Sequence, residues 1–275
     1  MIVARPNLKQ RITAETTDSS LTEVVVVCAC DDNYAMPLTV MLHSAGKTLD
    51  PGSRLTVYFI DGGLTESNWQ RIKETLADTS VDVYAIDPDY SLVEHLHTSH
   101  HVTPAAYLRL LTAEMLPGDV SKAIYLDSDL LIRDDLTQLW HMPLKDNYCL
   151  AVPDIACPYV DAEIGCKNFR HANPYMASHR PVPNYEELGM DGAAEYFNSG
   201  VMVINLERWR DEEIEIELLD CLRKNQKYVW CWDQYALNVV FAKQWKTLPA
   251  KWNQGKHLFN YPGPSCSPIG EQEFL

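Results

Sequence analysis

Val24-Val25-Val26-Val27-Cys28-Ala29 runs into Asp31-Asp32-Asn33-Tyr34, and the reading of this junction decides the fold. Six apolar residues in a row, four of them β-branched, predict a strand buried on both faces, as strands of parallel sheets are. The polar residues after it mark a carboxyl end, the edge at which open α/β sheets hold ligands. Residues 55–60 repeat the pattern and close on Asp61-Gly62-Gly63. A helix then starts near Thr65, with a partial capping box to Asn68, and carries Trp69, Ile72 and Leu76 on one face. Residues 81–86 make a third strand.

Further along, residues 105–115 read as a helix bearing Tyr107, Leu108, Leu111 and Met115, stopped by Pro117-Gly118. Residues 123–126 form a short strand that delivers Asp127-Ser128-Asp129, and a helix begins near Asp134 or Asp135. A strand over 148–152 ends at Pro153-Asp154. Residues 157–193, rich in Pro, Asn, His and Gly, predict a functional insertion or lid. Phe197-Asn198-Ser199-Gly200 leads into a strand over 201–206, followed by an acidic helix over 210–226 and a last helix over 233–241. This alternation predicts a doubly wound α/β sheet in a single domain, residues 23–275, behind a loose polar leader, residues 1–22.

With 275 residues, 46% of them hydrophobic, the chain can bury a large core. It has no apolar run of the roughly 18 residues a membrane helix needs, and its first 20 residues lack the apolar centre of a signal peptide. A soluble, cytoplasmic protein is expected. Its 8 cysteines have no framework spacing and no Cys-x-x-Cys pair, so they read as buried thiols. The net charge of −15 argues against nonspecific binding to nucleic acid or docking on anionic membranes, both of which need excess lysine and arginine. An anionic nucleotide would need a cation or a focused basic patch to bind so acidic a chain.

Aspartates at i and i+2 on extended chain point to one side and can share a hard cation such as Mg²⁺ or Mn²⁺. Asp127 and Asp129 have that spacing. Asp-x-Asp alone is as readily a solvated turn or a helix cap; its position after Ala123-Ile124-Tyr125-Leu126 is what favours a site. Asp31, Asn33 and Tyr34 offer acceptors, an amide donor and a ring, suited to reading a base edge and stacking on its face, or else form only a turn. Arg109, set among apolar residues, is either a phosphate clamp or an arginine snorkelling to the surface.

Together these segments resemble glycosyltransferase family 8, the group of bacterial lipopolysaccharide galactosyltransferases and glucosyltransferases and of glycogenin. Cys28-Ala29-Cys30-Asp31-Asp32-Asn33-Tyr34-Ala35 is similar to the family's uridine-binding opening, Ala106-Tyr107-Leu108-Arg109-Leu110 to its tyrosine-x-arginine helix, and Ile124-Tyr125-Leu126-Asp127-Ser128-Asp129 to its metal-pair strand. The run Phe197 to Leu206 and Trp232-Asp233-Gln234-Tyr235-Ala236-Leu237-Asn238 resemble two later signatures. Five ordered matches over residues 24 to 240 are far more specific than any one of them.

The resemblance implies a GT-A fold, a Rossmann-like mixed sheet flanked by helices. It also implies a UDP-sugar donor, UDP-glucose or UDP-galactose, with Mn²⁺ or Mg²⁺, and hexose transfer (EC 2.4.1 type) with retention of configuration. Carried over, Asp31 and Asn33 bind uracil and ribose, Tyr34 stacks on uracil, Arg109 and Ser128 contact the donor, and Asp127 and Asp129 hold the metal. Asp154, Asn198, Asp233 and Gln234 surround the sugar, with Gln234, Asp233 and Asp154 as the catalytic candidates. Between Gln234 and Asp233 as the group that steadies positive charge on the sugar, sequence leaves the choice open. The acceptor is a glycan, lipid-linked or a small molecule, or a protein.

The family's C-terminal His-x-x-Gly-x-x-Lys-Pro-Trp motif, source of a third metal ligand and a diphosphate lysine, is absent; by the usual spacing it would fall past residue 275. Tyr261-Pro262-Gly263-Pro264 is a faint echo of it, His257 stands outside the metal site, and Tyr235 occupies a position that is often acidic in the family. A UDP-sugar-binding protein with impaired catalysis is therefore a second reading. A nucleotidyltransferase is a weaker third, because the turn after the first strand is acidic rather than glycine-rich and basic.

Overall fold

The computed structural model describes residues 8–11, 20–93, 96 and 104–269, which divide into two compact units. The first comprises residues 1–145 and 203–215, the second residues 146–202 and 216–275. In chain order the strands are β1 Leu8–Arg11, β2 Thr22–Cys30, β3 Ser53–Asp61, β4 Val81–Ile86, β5 Lys122–Leu126, β6 Cys149–Pro153, β7 Phe197–Asn205 and β8 Trp245–Thr247. The α-helices are α1 Ala35–Thr48, α2 Glu66–Leu76, α3 Thr112–Met115, α4 Leu136–Trp140, α5 Ala162–Gly165, α6 Phe169–Ala172, α7 Leu206–Asp211, α8 Ile214–Lys224 and α9 Trp232–Val240.

In the first unit the sheet runs β1-β4-β3-β2-β5. The valine run behaves as its composition dictates, since residues 24 to 28 are all buried. β2 pairs in parallel with β3 along its whole length, Thr22 opposite Ser53 through Cys30 opposite Asp61, and with β5 at Val26 and Val27 on its other side. Pairing on both sides sets the middle of β2 inside the sheet, where a run apolar on both faces is expected. β4 continues the parallel set. α1 turns Leu38, Met41, Leu42 and Ala45 inward at helical spacing and packs on α2. In α2, Thr65 caps the Asn68 N–H and Ile72 and Leu76 are buried, while Trp69 stands edge-on to Phe59 at 5.3 Å.

Several elements differ from the sequence expectation. Within the stretch expected as a leader, Leu8–Arg11 forms an edge strand antiparallel to β4, with a register shift between Leu8 and Gln10. Residues 1–7 and 12–19 lie outside the described set. The helix expected over 105–115 is a 3-10 helix, Pro104–Leu111, that becomes α only in α3. Bonds of i to i−3 type fit the tighter coil, with Arg109 Nε and Thr112 Oγ1 donating to the carbonyls of Ala106 and Arg109. The acidic helix over 210–226 is two helices, α7 and α8, broken where Glu213 takes a φ of +51°. Arg210, at the end of α7, reaches the carbonyls of Ala113, Val120 and Pro117 at 2.7, 2.8 and 3.1 Å, which fixes the turn before β5. Sequence reasoning passed over α1, whose N-terminus has no side-chain cap and carries Pro37, and over β8, only three residues long.

In the second unit the order is β7-β6-β8, with β6 parallel to β8 and Cys149 opposite Trp245. β7 is common to both units, residues 197–202 in one and 203–205 in the other. Residues 157–193, expected as an insertion or lid, are packed round a fully buried carboxylate, Asp161. Asp161 caps α5, accepts from Tyr185 Oη at 3.2 Å and pairs with Arg180 Nε at 2.7 Å. Tyr235 of α9 donates to Asn184 Oδ1 at 2.7 Å and so ties the segment to that helix. All eight cysteines are unpaired, six of them buried. Among the described residues, no helix is long and apolar enough to cross a membrane.

Candidate active site

The residues singled out from sequence fall into two clusters, one in each unit: the first gathers at the carboxyl ends of β2 and β5, the second at the end of β6, the start of β7 and the first turn of α9. In the first unit, Asp31 follows β2 and its side chain accepts from the Asn33 N–H at 3.0 Å, capping a 3-10 turn over Asp32–Tyr34. The turn reading of this motif is therefore correct as far as Asp31 goes. It also leaves Asn33 and Tyr34 exposed at the strand end, Tyr34 at 47%. Asp32 points elsewhere, taking the Thr65 N–H and the Asn68 amide at 2.8 Å each; these two bonds hold its carboxyl below the usual range.

Next to it, Gly62 approaches β2 so closely that a Cβ there would lie 2.5 Å from the Cys30 carbonyl. Asp61 accepts from the Gly63 and Leu64 N–H groups at 2.8 Å. The edge is dense in carboxylate: Cys30 is pushed up to about 12 by burial and then by Asp31, Asp61 and Asp32. Tyr90 is raised by burial, Asp61 and Asp31, which places a phenol at the same edge. Sequence reasoning did not nominate Tyr90, which sits in a stretch with no periodicity.

The third element of this cluster is the end of β5. Arg109 Nη2 lies 2.9 Å from Asp127 Oδ1, and its guanidinium stacks over the Tyr125 ring at 4.7 Å. With a side chain only 11% exposed, Arg109 is held inside rather than snorkelling. Asp127 and Asp129 do not sit on extended chain as their spacing suggested. β5 stops at Leu126, and Ser128, buried, and Asp129, exposed, form a turn.

Among the described residues no group of three or more His, Cys, Asp and Glu side chains is arranged to hold an ion. Two hard carboxylates are nevertheless the donor set expected for Mg²⁺ or Mn²⁺ ions that take their remaining oxygens from a substrate diphosphate and water. Asp127 and Asp129 are of that donor class by chemistry, with Asp127 Oδ1 paired to Arg109.

In the second unit Asp154, Asn198, Ser199, Asp233 and Gln234 form one hydrogen-bonded network. Asp154 follows β6, and its N–H bonds the Tyr196 carbonyl at 2.8 Å. Its Oδ2 accepts from Gln234 Nε2 at 2.9 Å and Asn198 Nδ2 at 3.1 Å, and its Oδ1 from the Ala156 N–H at 2.9 Å. Gln234 Oε1 accepts from the Ser199 N–H at 3.1 Å, and the Ser199 hydroxyl donates to Asp233 Oδ2 at 3.1 Å. The amide of Gln234 can face only one way, because a flip would set its oxygen against a carboxylate and its NH₂ against an N–H.

Asn238 fixes this geometry from one turn further along α9. Its amide donates to the Phe197 carbonyl and to the Gln234 carbonyl, both at 2.9 Å, and accepts the Phe197 N–H at 2.8 Å. α9 begins under strain, for Trp232 takes a φ of +40° just before Asp233. A bulky residue in left-handed conformation persists only where its surroundings enforce it. Cys231 is raised to about 12 by burial, Asp154 and Asp233, so the carboxylates of the network lie close to it.

The four second-unit residues nominated from sequence are thus brought together. Ser199, Asn238 and Asn253, the last donating to Asn198 Oδ1 at 2.9 Å, were not nominated. Ser199 and Asn238 stood inside quoted motifs, and their side-chain type was the available signal. His257 lies apart from the network, its Nδ1 3.2 Å from the Asn260 amide. Tyr261 is a buried anchor that donates to the Ile155 carbonyl at 2.7 Å.

The α/β sheet flanked by helices is a GT-A fold, the architecture of a class of glycosyltransferases. Residues 25–265 match glycosyl transferase family 8, and the chain belongs to that family. It is 28% identical to General stress protein A of Bacillus subtilis over 237 residues, covering 85% of this chain and 74% of that one. It is 26% identical to the lipopolysaccharide 1,2-glucosyltransferase of Escherichia coli, covering 81% and 60%. Among solved structures, the galactosyltransferase LgtC bound to donor and acceptor sugar analogs superposes with a TM-score of 0.72 at 25% identity, over 90% of this chain and 84% of that one. The chain spans 48% of the glycosyltransferase GlyF of Streptococcus pneumoniae.

Proposed function

We propose that this chain is a retaining hexosyltransferase that moves glucose or galactose from a UDP-sugar to a glycan acceptor. The observation that carries this reading is the network of Asp154, Asn198, Ser199, Asp233 and Gln234, in which two carboxylates and the Gln234 amide are nearly excluded from water and the Asn198 amide is half-buried. Hydrogen bonding offsets the cost of burying these groups, and a convergent set of oriented polar side chains is where a ligand would be held.

In this reading the first-unit residues take the nucleotide. Tyr34 stacks on uracil, Asp31 and Asn33 read its edge and the ribose, and Arg109 and Ser128 contact the diphosphate. Asp127 and Asp129 would hold Mn²⁺ or Mg²⁺ there, and when bound the ion supplies a Lewis acid for the leaving diphosphate. That also answers the charge problem of an acidic chain with an anionic substrate.

The second-unit residues act on the sugar. As its bond to phosphate breaks, positive charge grows at the anomeric carbon, and fixed negative groups in a dry site stabilise it without reorganising. Asp154 and Asp233 supply that field. Gln234 is held by Ser199 on one side and Asp154 on the other, which favours an electrostatic and orienting role over attack on the sugar. With no second carboxylate needed as nucleophile, the acceptor hydroxyl approaches from the side of the departing phosphate, whose oxygen takes its proton.

The experiment is titration calorimetry of UDP-glucose and UDP-galactose with and without Mn²⁺, with released UDP measured in the same samples. Metal-dependent binding with UDP release supports the proposal and identifies the donor. Binding without turnover reduces the chain to a UDP-sugar-binding protein, and absence of binding removes the donor assignment.

A further inference from the structure

Asn253 ends a short 3-10 turn, Ala250–Trp252, in a stretch that carries none of the motifs above. Its amide Nδ2 lies 2.9 Å from Asn198 Oδ1, which also accepts the Gly200 N–H at 2.9 Å. With both lone-pair directions of that oxygen filled, the Asn198 NH₂ must face Asp154 Oδ2, where it is found at 3.1 Å. An amide turned the other way would oppose two donors to its NH₂ and a carboxylate to its oxygen.

We propose that Asn253 is a positioning residue of the transfer reaction, setting the direction of the Asn198 amide and, through it, the aim of Asp154. The inference rests on the reading of Asp154 and Asn198 as sugar-site residues. Asn253 itself touches no reacting atom. Gly200 supplies a backbone donor that only proline would remove, so Asn253 is the adjustable half of the clamp. The second hydrogen of the Asn198 NH₂ is then directed by the same constraint and becomes a fixed donor for a sugar hydroxyl.

Three variants separate this role from packing. Asn253→Ser keeps a donor, Asn253→Ala removes it, and Asn253→Asp replaces it with an acceptor of the same shape that repels Asn198 Oδ1. With UDP-glucose or UDP-galactose, whichever the native protein turns over, kcat should fall in the order Ser, Ala, Asp. The Asp variant should lose roughly tenfold or more while the donor KM stays within about twofold, the signature of an interaction that matters after binding. Melting temperatures are measured alongside. Equal losses in all three, or losses that track melting temperature, overturn the proposal.

A second readout does not need turnover. The side-chain amide signal of Asn198 in a ¹⁵N-labelled sample, assigned with an Asn198→Ala variant, should shift in Asn253→Asp and stay near its native position in Asn253→Ser. An unmoved signal in the Asp variant also overturns the proposal. If the native protein turns over neither donor but the signal shifts as stated, the hexosyltransferase reading fails while the amide clamp stands.

Discussion

Arg109 holds Nη2 2.9 Å from Asp127 Oδ1, so one member of the aspartate pair is already partnered by an internal cation. The arginine is the less exposed of the two, at 11% against 32%, and removing it leaves Asp127 without its charged hydrogen-bond partner. Arg109→Met should lower stability by about 2 kcal/mol, in the range for a charged hydrogen bond, and weaken UDP binding at least tenfold. Denaturant unfolding and calorimetry measure the two effects. Unchanged UDP affinity would detach Arg109 from the donor.

Replacing both Asp127 and Asp129 by alanine should abolish metal-dependent UDP binding and leave the far-ultraviolet circular dichroism spectrum unchanged, since both residues follow β5 rather than form it. The check is UDP titration across a manganese series. Manganese-dependent affinity equal to the native value removes the metal assignment.

Gln234→Glu sets a second carboxyl at the position now 2.9 Å from Asp154 Oδ2. Two carboxylates this close share a proton, so the pair binds protons in the folded state at a pH where unfolded carboxyls, which titrate near about 4, have lost them. The native state then holds more protons than the unfolded one, and stability falls as pH rises above about 4. Melting temperature should be close to native in acid and drop progressively toward neutrality. A constant difference at every pH would mean the two groups do not couple.

Cys30 and Cys231 are both pushed up to about 12, chiefly by burial, from an ordinary value of 9.0. Between those values the folded chain keeps thiol protons that the unfolded chain gives up. Their contribution to stability is whole below pH 9 and is lost as pH climbs toward 12. Melting curves from pH 8 to 11 should show a decline beginning near 9, and alkylation of native protein at pH 8 should be slow until denaturant is added. Rapid alkylation of both cysteines in native protein contradicts the burial.

Tyr235→Phe removes the 2.7 Å bond to Asn184 and leaves a buried amide oxygen without it, at a cost of about 1–2 kcal/mol. Residues 157–193 should become more sensitive to protease in this variant. Equal cleavage of native and variant protein would show that the segment is held by its own core around Asp161 and not by α9.

What was legible in the sequence followed from residue types that admit one reading. Val24 to Cys28 could only be a buried strand, and a polar end to such a strand marks a ligand edge. Asn198, Asp233 and Gln234 were found through ordered motifs and Asp154 as the residue ending its strand, and the structure brings them together. Geometry that depends on tertiary packing was not legible. Pro104–Leu111 has the spacing of an α-helix but coils more tightly, with side chains bonded back to i−3 carbonyls. Glu213 has ordinary helix propensity yet breaks its helix, with Arg210 just before it drawn to three carbonyls. Asn253 carried no motif because its role depends on one partner 55 residues away.

The bonds from Asn238 to the Phe197 backbone and the Gln234 carbonyl limit how this segment can vary in length. A residue inserted between 234 and 238 would rotate Gln234 by about 100° about the helix axis and swing its amide out of reach of Asp154. The turn after α9, at residues 241–244, bears no such constraint from the network. Insertions and deletions among functional descendants of this chain should therefore gather on the far side of Asn238, leaving the four-residue interval between Gln234 and Asn238 unaltered while the loop before β8 drifts.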